Sequence, residues 1–127
     1  MKRESRGFTL IELIVAVVIV AILATIAIPT YREYVMRSHR RAAQAAMADI
    51  ATRELQYFAA NRAFADATQL GYVLPPELDE YYTVTVTPGT SGSVPNFTIN
   101  FTAIGSQVKD GDLSLDSEGN KGPTGKW

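Results

Sequence analysis

The N-terminal part of the chain carries GFTLIELIVAVVIVAILATIAI at residues 7–28. No side chain is polar from Leu13 to Ala24, and residues 10–28 nearly reach the ~20 apolar residues that a helix needs to cross a bilayer. Glu12 interrupts this pattern near its start. A charged side chain within such a segment is costly and normally has a partner or a function. The sequence therefore predicts a membrane-spanning helix in which Glu12 requires a positively charged partner.

Two sources can supply that positive charge. Three basic side chains precede the apolar run, and the positive-inside rule places them on the cytoplasmic side: Lys2, Arg3 and Arg6. Cleavage between Gly7 and Phe8 would remove them and leave a free amine on Phe8. That amine would pair with the Glu12 of a neighbouring copy when helices pack together out of water, so the pair would direct assembly.

The order of these residues resembles the class III leader of type IV pilins, because KRESRG at residues 2–7 is followed by FTLIE and an apolar helix. The resemblance implies that a prepilin peptidase cuts between Gly7 and Phe8 and methylates the Phe8 amine. It also implies a single-pass precursor in the inner membrane, in a Gram-negative bacterium. The pilus assembly machinery would then pack Phe8, Glu12 and Pro29 against other pilin subunits in the core of an extracellular fibre.

The residues after the apolar run narrow this resemblance. Pro29, Tyr31, Tyr34 and VMRSHR at residues 35–40 are similar to the minor-pilin branch of the type IVa group. The resemblance implies a structural subunit serving motility, adhesion or DNA uptake, with a type II secretion pseudopilin as the alternative. A third hypothesis is a ligand- or DNA-binding pilin whose loops at residues 88–96 and 119–125 capture the ligand.

A secretory signal peptide or an ordinary single-pass anchor would also contain an apolar run of this kind. A signal peptide requires small residues at a cleavage site after the run, and such residues are available, but the helical pattern continues beyond them. An ordinary anchor accounts for the hydrophobicity but for neither Glu12 nor the placement of Gly7 directly before Phe8. The pilin-like interpretation accounts for all of these features.

Composition excludes several classes of function. The chain of 127 residues has no cysteine and one histidine, His39, which excludes thiol catalysis and cysteine- or histidine-based metal sites. We therefore predict a protein that is not an enzyme and has no cofactor. Residues 1–7 hold three basic and one acidic side chain, so their removal changes the net charge from −1 to −3. The mature chain is not a general polyanion binder.

Pro29 and the residues after it predict the rest of a long helix. Because proline removes a backbone donor, we expect a kink or a locally unwound segment at residues 24–30. An amphipathic stripe then continues to about Asn61 at i, i+3, i+4 spacing: Ala43, Ala46, Met47, Ile50, Ala51, Glu54, Tyr57 and Phe58. Glu54 is the misfit in this stripe, and we expect it to reach the rim of the core or to bond to a loop backbone.

A basic cluster follows the membrane run: Arg37, His39, Arg40 and Arg41. We expect these side chains to meet lipid headgroups or acidic groups of adjacent subunits. DNA contact would need more positive charge and interleaved aromatic residues. Nucleic acid is therefore open as a partner but is not the expected one.

The C-terminal half predicts an α+β fold, in which the long helix packs on a small antiparallel sheet of about three to four strands. Period-two alternation predicts strands at residues 82–87 and 97–102, with a third at 113–115. Residues 62–80 contain Pro75 and Pro76 and predict a crossing loop with one short helical turn. Residues 88–96 are too long for a tight hairpin and predict an exposed connection. We divide the chain into leader 1–7, membrane and fibre-core helix 8–34, and globular head 35–127.

Acidic residues near the C-terminus could supply oxygen ligands to calcium: Asp110, Asp112, Asp116 and Glu118. Such residues more commonly form acidic turns, so we predict no metal site. Pilins resembling this chain often close the region with a disulfide, which the absence of cysteine rules out.

Overall fold

The computed structural model describes Met1 and residues 4–127, so the leader residues Lys2 and Arg3 lie outside the described residues. The elements in chain order are α1 Leu10–Asn61, α2 Ala67–Leu70, α3 Pro76–Asp79, β1 Tyr82–Ser91, β2 Val94–Ala103, a 3₁₀ turn Gly105–Gln107, β3 Leu113–Asp116 and β4 Lys121–Gly122. Contacts divide the chain into two compact units, Met1–Val35 and Met36–Trp127.

In the first unit, the helix is exposed on all sides. The most apolar 18-residue window of α1 has a mean hydropathy of 3.0, and none of it is buried. The helix is therefore long and apolar enough to cross a membrane.

Residues 24–30 remain helical through Pro29, so the predicted unwound segment is absent from the single subunit. Pro29 removes only one donor from the helical ladder, and the hydrogen bonds of the flanking turns remain. Hydroxyl groups add local bonds here, because Thr25 Oγ1 donates to Ile22 O at 2.6 Å and Thr30 Oγ1 donates to Ile26 O at 3.0 Å.

In the second unit, four antiparallel strands form a sheet in the order β1-β2-β3-β4. The predicted fold class and the three predicted strands are confirmed, and β4 is a short fourth strand beside β3. The prediction of a long exposed connection at residues 88–96 is wrong, because β1 and β2 remain paired as far as Ser91 and Val94. Gly92, with a φ of +66°, begins the two-residue turn between them, as glycine does in a type II′ turn.

The register explains why two prolines do not interrupt this hairpin. Ile104 N–H donates to Tyr81 O at 2.9 Å, and in an antiparallel ladder the bonded pairs then recur at every second residue. Pro88 falls between the bonded positions of β1, and Pro95 falls between those of β2. Neither proline therefore occupies a position whose N–H the β1–β2 pairing uses.

One hydrophobic core holds the head together. The helix contributes Ala43, Ala46, Met47 and Ile50, the loop contributes Leu78, and the strands contribute Tyr82, Val86, Phe97, Ile99, Phe101, Ala103, Leu113 and Leu115. The buried residues of the helix recur with the predicted spacing, and those of the strands alternate along one face of the sheet. The sequence periodicities thus predicted both faces of this core.

The predicted crossing loop contains two short helices instead of one. Asp66 caps α2 in a capping box, since its side chain accepts the Gln69 N–H at 2.8 Å and Gln69 Oε1 accepts the Asp66 N–H at 3.0 Å. Gly71 ends α2 with a φ of +64°. The second helix, α3, starts directly after Pro75 and buries Leu78.

Part of the basic cluster is packed within the head, which corrects the expectation that it faces lipid or neighbouring subunits. His39 stacks on Tyr81 with ring centroids 3.8 Å apart, and its Nδ1 lies 3.2 Å from Gln107 Oε1. Arg40 donates to Asp110 at 2.6 Å, and both side chains are mostly buried. These contacts join α1 to the segment that follows β2.

Gln107 is the centre of this polar network. Its Nε2 donates to Met36 O at 2.9 Å, to the Tyr82 hydroxyl at 3.0 Å and to Asp110 Oδ2 at 3.3 Å. Burial raises the pKa of Tyr82 to about 12, with the Gln107 bond acting in the opposite direction. Tyr82 therefore remains a neutral phenol at physiological pH.

The C-terminal segment is held without a disulfide. Gln44 Nε2 donates to Lys126 O at 2.8 Å, and Lys126 Nζ lies 3.8 Å from Asp110 Oδ1. Trp127 Nε1 donates to Gly122 O at 3.0 Å. Asp110 therefore contacts both α1 and the tail, which makes it a stabilising residue of the head.

Replacing Asp110 by alanine is expected to lower the free energy of unfolding by roughly 3 kcal/mol, because it leaves the mostly buried Arg40 without its partner. Thermal or denaturant unfolding of the full-length protein in detergent micelles measures this effect. The matched control is Asp49→Ala, which breaks the exposed pair with Arg53 and should cost less than about 1 kcal/mol. Equal losses in the two variants would contradict the role of Asp110.

Candidate functional site

Glu12 lies in the first turn of α1 and forms a capping box with Thr9. Its Oε2 accepts the Thr9 N–H at 2.8 Å and the Thr9 hydroxyl at 2.9 Å, while Thr9 Oγ1 accepts the Glu12 N–H at 3.3 Å. This capping role was not predicted from the sequence, although the pattern Thr-x-x-Glu before an apolar run indicates a capping box. The two hydrogen bonds that the Glu12 carboxylate accepts both use Oε2. Its Oε1 has no hydrogen-bond partner among the described residues and is therefore available to an external donor.

The predicted cleavage site is open. Phe8 is 92% exposed. A Cβ built on Gly7 would meet no heavy atom within 4 Å, so the subunit itself does not require glycine there.

The apolar part of α1 presents its side chains outward in every direction. The large hydrophobic residues between Leu10 and Ile28 are 49–75% exposed. A shallow apolar groove next to Pro29 is lined by Leu23, Ile26, Ala27, Thr30, Tyr31 and Tyr34. A helix that is apolar all round is stable only when lipid or other helices cover it.

Of the two segments predicted to capture a ligand, residues 88–96 and only the first part of residues 119–125 lie at the same end of the sheet. The distal part of β1 and β2 is a two-stranded ribbon, since β3 pairs only with Thr98–Phe101. The turn after β3 flanks the base of this ribbon, because Ser117 N–H donates to Phe97 O at 3.0 Å. The ribbon, the turn at residues 117–120 and β4 thus form one continuous region.

The outer face of this sheet is polar and, on β1 and β2, uncharged. Its side chains alternate with the buried ones: Thr83, Thr85 and Thr87 on β1, and Asn96, Thr98, Asn100 and Thr102 on β2. None of these hydroxyl and amide groups bonds to another described residue. They are therefore free to donate to and accept from an external ligand.

One lysine and an aromatic ring accompany this region at the C-terminus. Lys121 on β4 lies over the Trp127 ring, with its Nζ 5.1 Å from the ring centroid. Lys121 is exposed, whereas Lys126 faces Asp110. The exposed Lys109 lies in the loop between β2 and β3, at the opposite end of the sheet.

The carboxylates considered for calcium are engaged separately. Asp110 pairs with Arg40, and Asp112 Oδ1 accepts the Ala103 N–H at 2.8 Å. Asp116 Oδ1 accepts the backbone N–H groups of Glu118 and Asn120, each at 2.9 Å.

A hydrogen bond from the Asn120 side chain holds the pKa of Asp116 below its ordinary value. Among the described residues, no group of three or more acidic, histidine or cysteine side chains could hold a metal ion. These acidic residues therefore stabilise turns and ion pairs in the part of the chain that the structure describes.

Two protein-family models match the chain. The model described as type IV minor pilin ComP, DNA uptake sequence receptor, matches residues 29–114, which is more than half of the chain. The model described as the prokaryotic N-terminal methylation motif matches residues 2–28. The two matches adjoin, and together they include the leader, the apolar helix and most of the head.

Curated relatives match parts of the chain. Fimbrial protein EcpC of Eikenella corrodens is 53% identical over 38 residues, which are 30% of this chain and 25% of that protein. Type IV major pilin protein PilA of Myxococcus xanthus is 35% identical over 80 residues, which are 62% of this chain and 36% of that protein. The chain thus spans between a quarter and just over a third of these relatives' length.

Among solved structures, a type IV pilin from Shewanella oneidensis has a TM-score of 0.57 and 23% identity, covering 72% of this chain and 97% of that chain. At this identity the likeness shows the fold, a long N-terminal helix packed on a four-stranded antiparallel sheet. The fold, the methylation motif and the family model for the head agree with one another. The chain therefore belongs to the type IV pilin family, whose members are structural subunits and not enzymes.

Proposed function

We propose that this chain is a minor subunit of a type IV pilus, and that its head contacts DNA during uptake. The observation that carries the proposal is the match of residues 29–114, most of the head, to the family model described as a DNA uptake sequence receptor. The pseudopilin alternative has less support, because no metal-binding group among the described residues favours it.

Assembly is proposed to follow removal of residues 1–7 by prepilin peptidase and methylation of the Phe8 amine. The precursor would sit in the inner membrane through the apolar helix and then enter the fibre with other pilin subunits. The exposed apolar surface of α1 supports this step, because it needs neighbours of its own kind once it leaves lipid. The free Oε1 of Glu12 supports pairing with the Phe8 amine of another subunit without loss of the helix cap.

DNA contact is proposed for the region formed by the ribbon, the turn at residues 117–120 and β4. A two-stranded β-ribbon fits the major groove of DNA. Asn96 and Asn100 offer the amide groups that recognise adenine edges, and threonine methyl groups beside them can contact thymine. The exposed Lys121 would supply a phosphate contact, which is needed because the mature chain has a net negative charge.

Binding of duplex DNA to the full-length protein in detergent micelles tests this function. For a contact between Lys121 and a phosphate, Lys121→Gln should weaken binding and reduce the slope of log affinity against log salt by about 1. The matched control is Arg53→Gln, which removes one positive charge from α1 far along the sequence from the ribbon. Failure to bind DNA, or equal slopes in both variants, would reject the proposed DNA contact.

A further inference from the structure

Glu54 is a buried acid, and only one of its two carboxyl oxygens accepts a hydrogen bond. The residue lies on α1 and is 0% exposed. Its Oε2 accepts the Ala65 N–H at 2.9 Å, whereas its Oε1 is buried and has no hydrogen-bond partner among the described residues. The prediction that Glu54 bonds to a loop backbone is confirmed, whereas the alternative prediction that it reaches the rim of the core is wrong.

This bond joins the helix to the segment that follows it. Ala65 is also 0% exposed and directly precedes the cap of α2. Phe64 stacks on Phe58 of α1 with centroids 4.7 Å apart and meets Phe97 of β2 edge-on at 4.8 Å. Residues 62–71 are therefore seated by two aromatic contacts, by the packing of Ala67 and Leu70 against the core and by one hydrogen bond to a carboxyl group.

Among the described residues, the charged groups around this contact offer no counterion. On α1, Arg53 is paired with Asp49 and lies over the Tyr72 ring of the loop. On the loop, Asp66 acts electrostatically on Glu54 and has the same sign. From the sheet, the aromatic contact is made by the apolar Phe97.

Burial raises the pKa of Glu54, the Ala65 bond lowers it, and the charge of Asp66 raises it again. A carboxyl whose pKa is raised in the seated state stabilises that state when it is protonated. The stabilisation is present at low pH and is lost as the pH rises through the raised pKa. Ionisation would place a negative charge in a buried site beside a like charge.

We propose that Glu54 is a protonation-controlled latch: the neutral carboxyl keeps residues 62–71 seated on α1, and ionisation releases this segment. The released segment contains α2 and is closely followed by the strongly exposed Val73, so the surface of the head would differ between acidic and alkaline conditions. The consequence for contacts between subunits rests on the proposed function. The latch itself rests only on the structure of the head.

Hydrogen exchange of the full-length protein in detergent micelles tests the latch. Exchange is measured between pH 5 and pH 8 and corrected for the intrinsic chemical rate at each pH. The opening of residues 62–71 should increase several-fold with pH in the wild type. In Glu54→Gln, which keeps the side-chain oxygen but cannot ionise, the opening should be independent of pH.

Two controls separate the latch from other effects. Glu77→Gln removes an exposed carboxylate from α3 of the same loop and should leave the wild-type pH dependence unchanged. The amide of Ile99 in β2 reports global unfolding and should remain protected at every pH. The proposal is overturned if the wild-type segment opens equally at all pH values, or if Glu54→Gln retains the pH dependence. Neither outcome depends on DNA binding or fibre assembly.

Discussion

Glu12→Ala protein is expected to be cleaved and retained in the membrane but nearly absent from sheared fibres. In the fibre core, the substitution would leave the Phe8 amine of a neighbouring subunit buried without its carboxylate. Loss of one partner from a buried ion pair has a large effect, which corresponds to roughly a hundredfold or greater reduction in incorporation. Fractionation with an antibody to this subunit, before and after shearing, measures the distribution.

The capping box allows charge pairing and helix capping to be separated. Glu12→Gln retains a side chain that can serve at this position of a capping box, but it removes the negative charge. Thr9→Ala removes the cap hydroxyl and retains the charge. If Glu12 acts through its charge, Glu12→Gln should fail to assemble and Thr9→Ala should assemble.

The opposite pattern, with assembly by Glu12→Gln and failure by Thr9→Ala, would mean that Glu12 acts only as a cap. Normal fibre levels of Glu12→Ala would show that the carboxylate does not direct assembly. Loss of the uncut precursor from the membrane would instead indicate a defect in insertion.

Gly7→Val is expected to abolish removal of the leader, so that all of the protein keeps residues 1–7 and none enters fibres. The peptidase is proposed to require a small side chain at the scissile bond. The subunit does not, because a Cβ on Gly7 would meet no atom within 4 Å. A processing defect would therefore be attributable to the peptidase and not to misfolding. Intact-mass measurement of protein from the native host distinguishes uncut precursor from a mature chain beginning at N-methylated Phe8.

The control for this prediction is Ser5→Val, which places the same side chain in the leader two residues before Gly7. It should be processed normally. Mature, methylated protein from Gly7→Val would refute the assignment of the cleavage site. A block in both variants would show only that the leader tolerates no valine.

Local patterns predicted most of the secondary structure. The apolar run, the helical stripe through Met47 and Ile50 and the alternation in β1 and β2 each repeat with the period of one element, so neighbouring residues alone indicate the buried face. Asp66 and Gly71, which bound α2, lie within a segment predicted to contain a helical turn. The β1–β2 hairpin was not predicted, because the spacing of residues 88–96 does not reveal the register of the two strands. In that register, both prolines occupy positions where the strand pairing uses no N–H group.

The sequence by itself determined the long apolar helix with its single carboxylate, the strands with alternating buried residues and the absence of cysteine, because these depend on residue type and short spacing. Only the tertiary structure decided the roles of Glu54 and Asp110. Glu54 meets Ala65 eleven residues later, and Asp110 meets Arg40 seventy residues earlier. Whether a charged side chain is solvated, paired or buried depends on which distant segments pack against it, and that packing is absent from any local pattern.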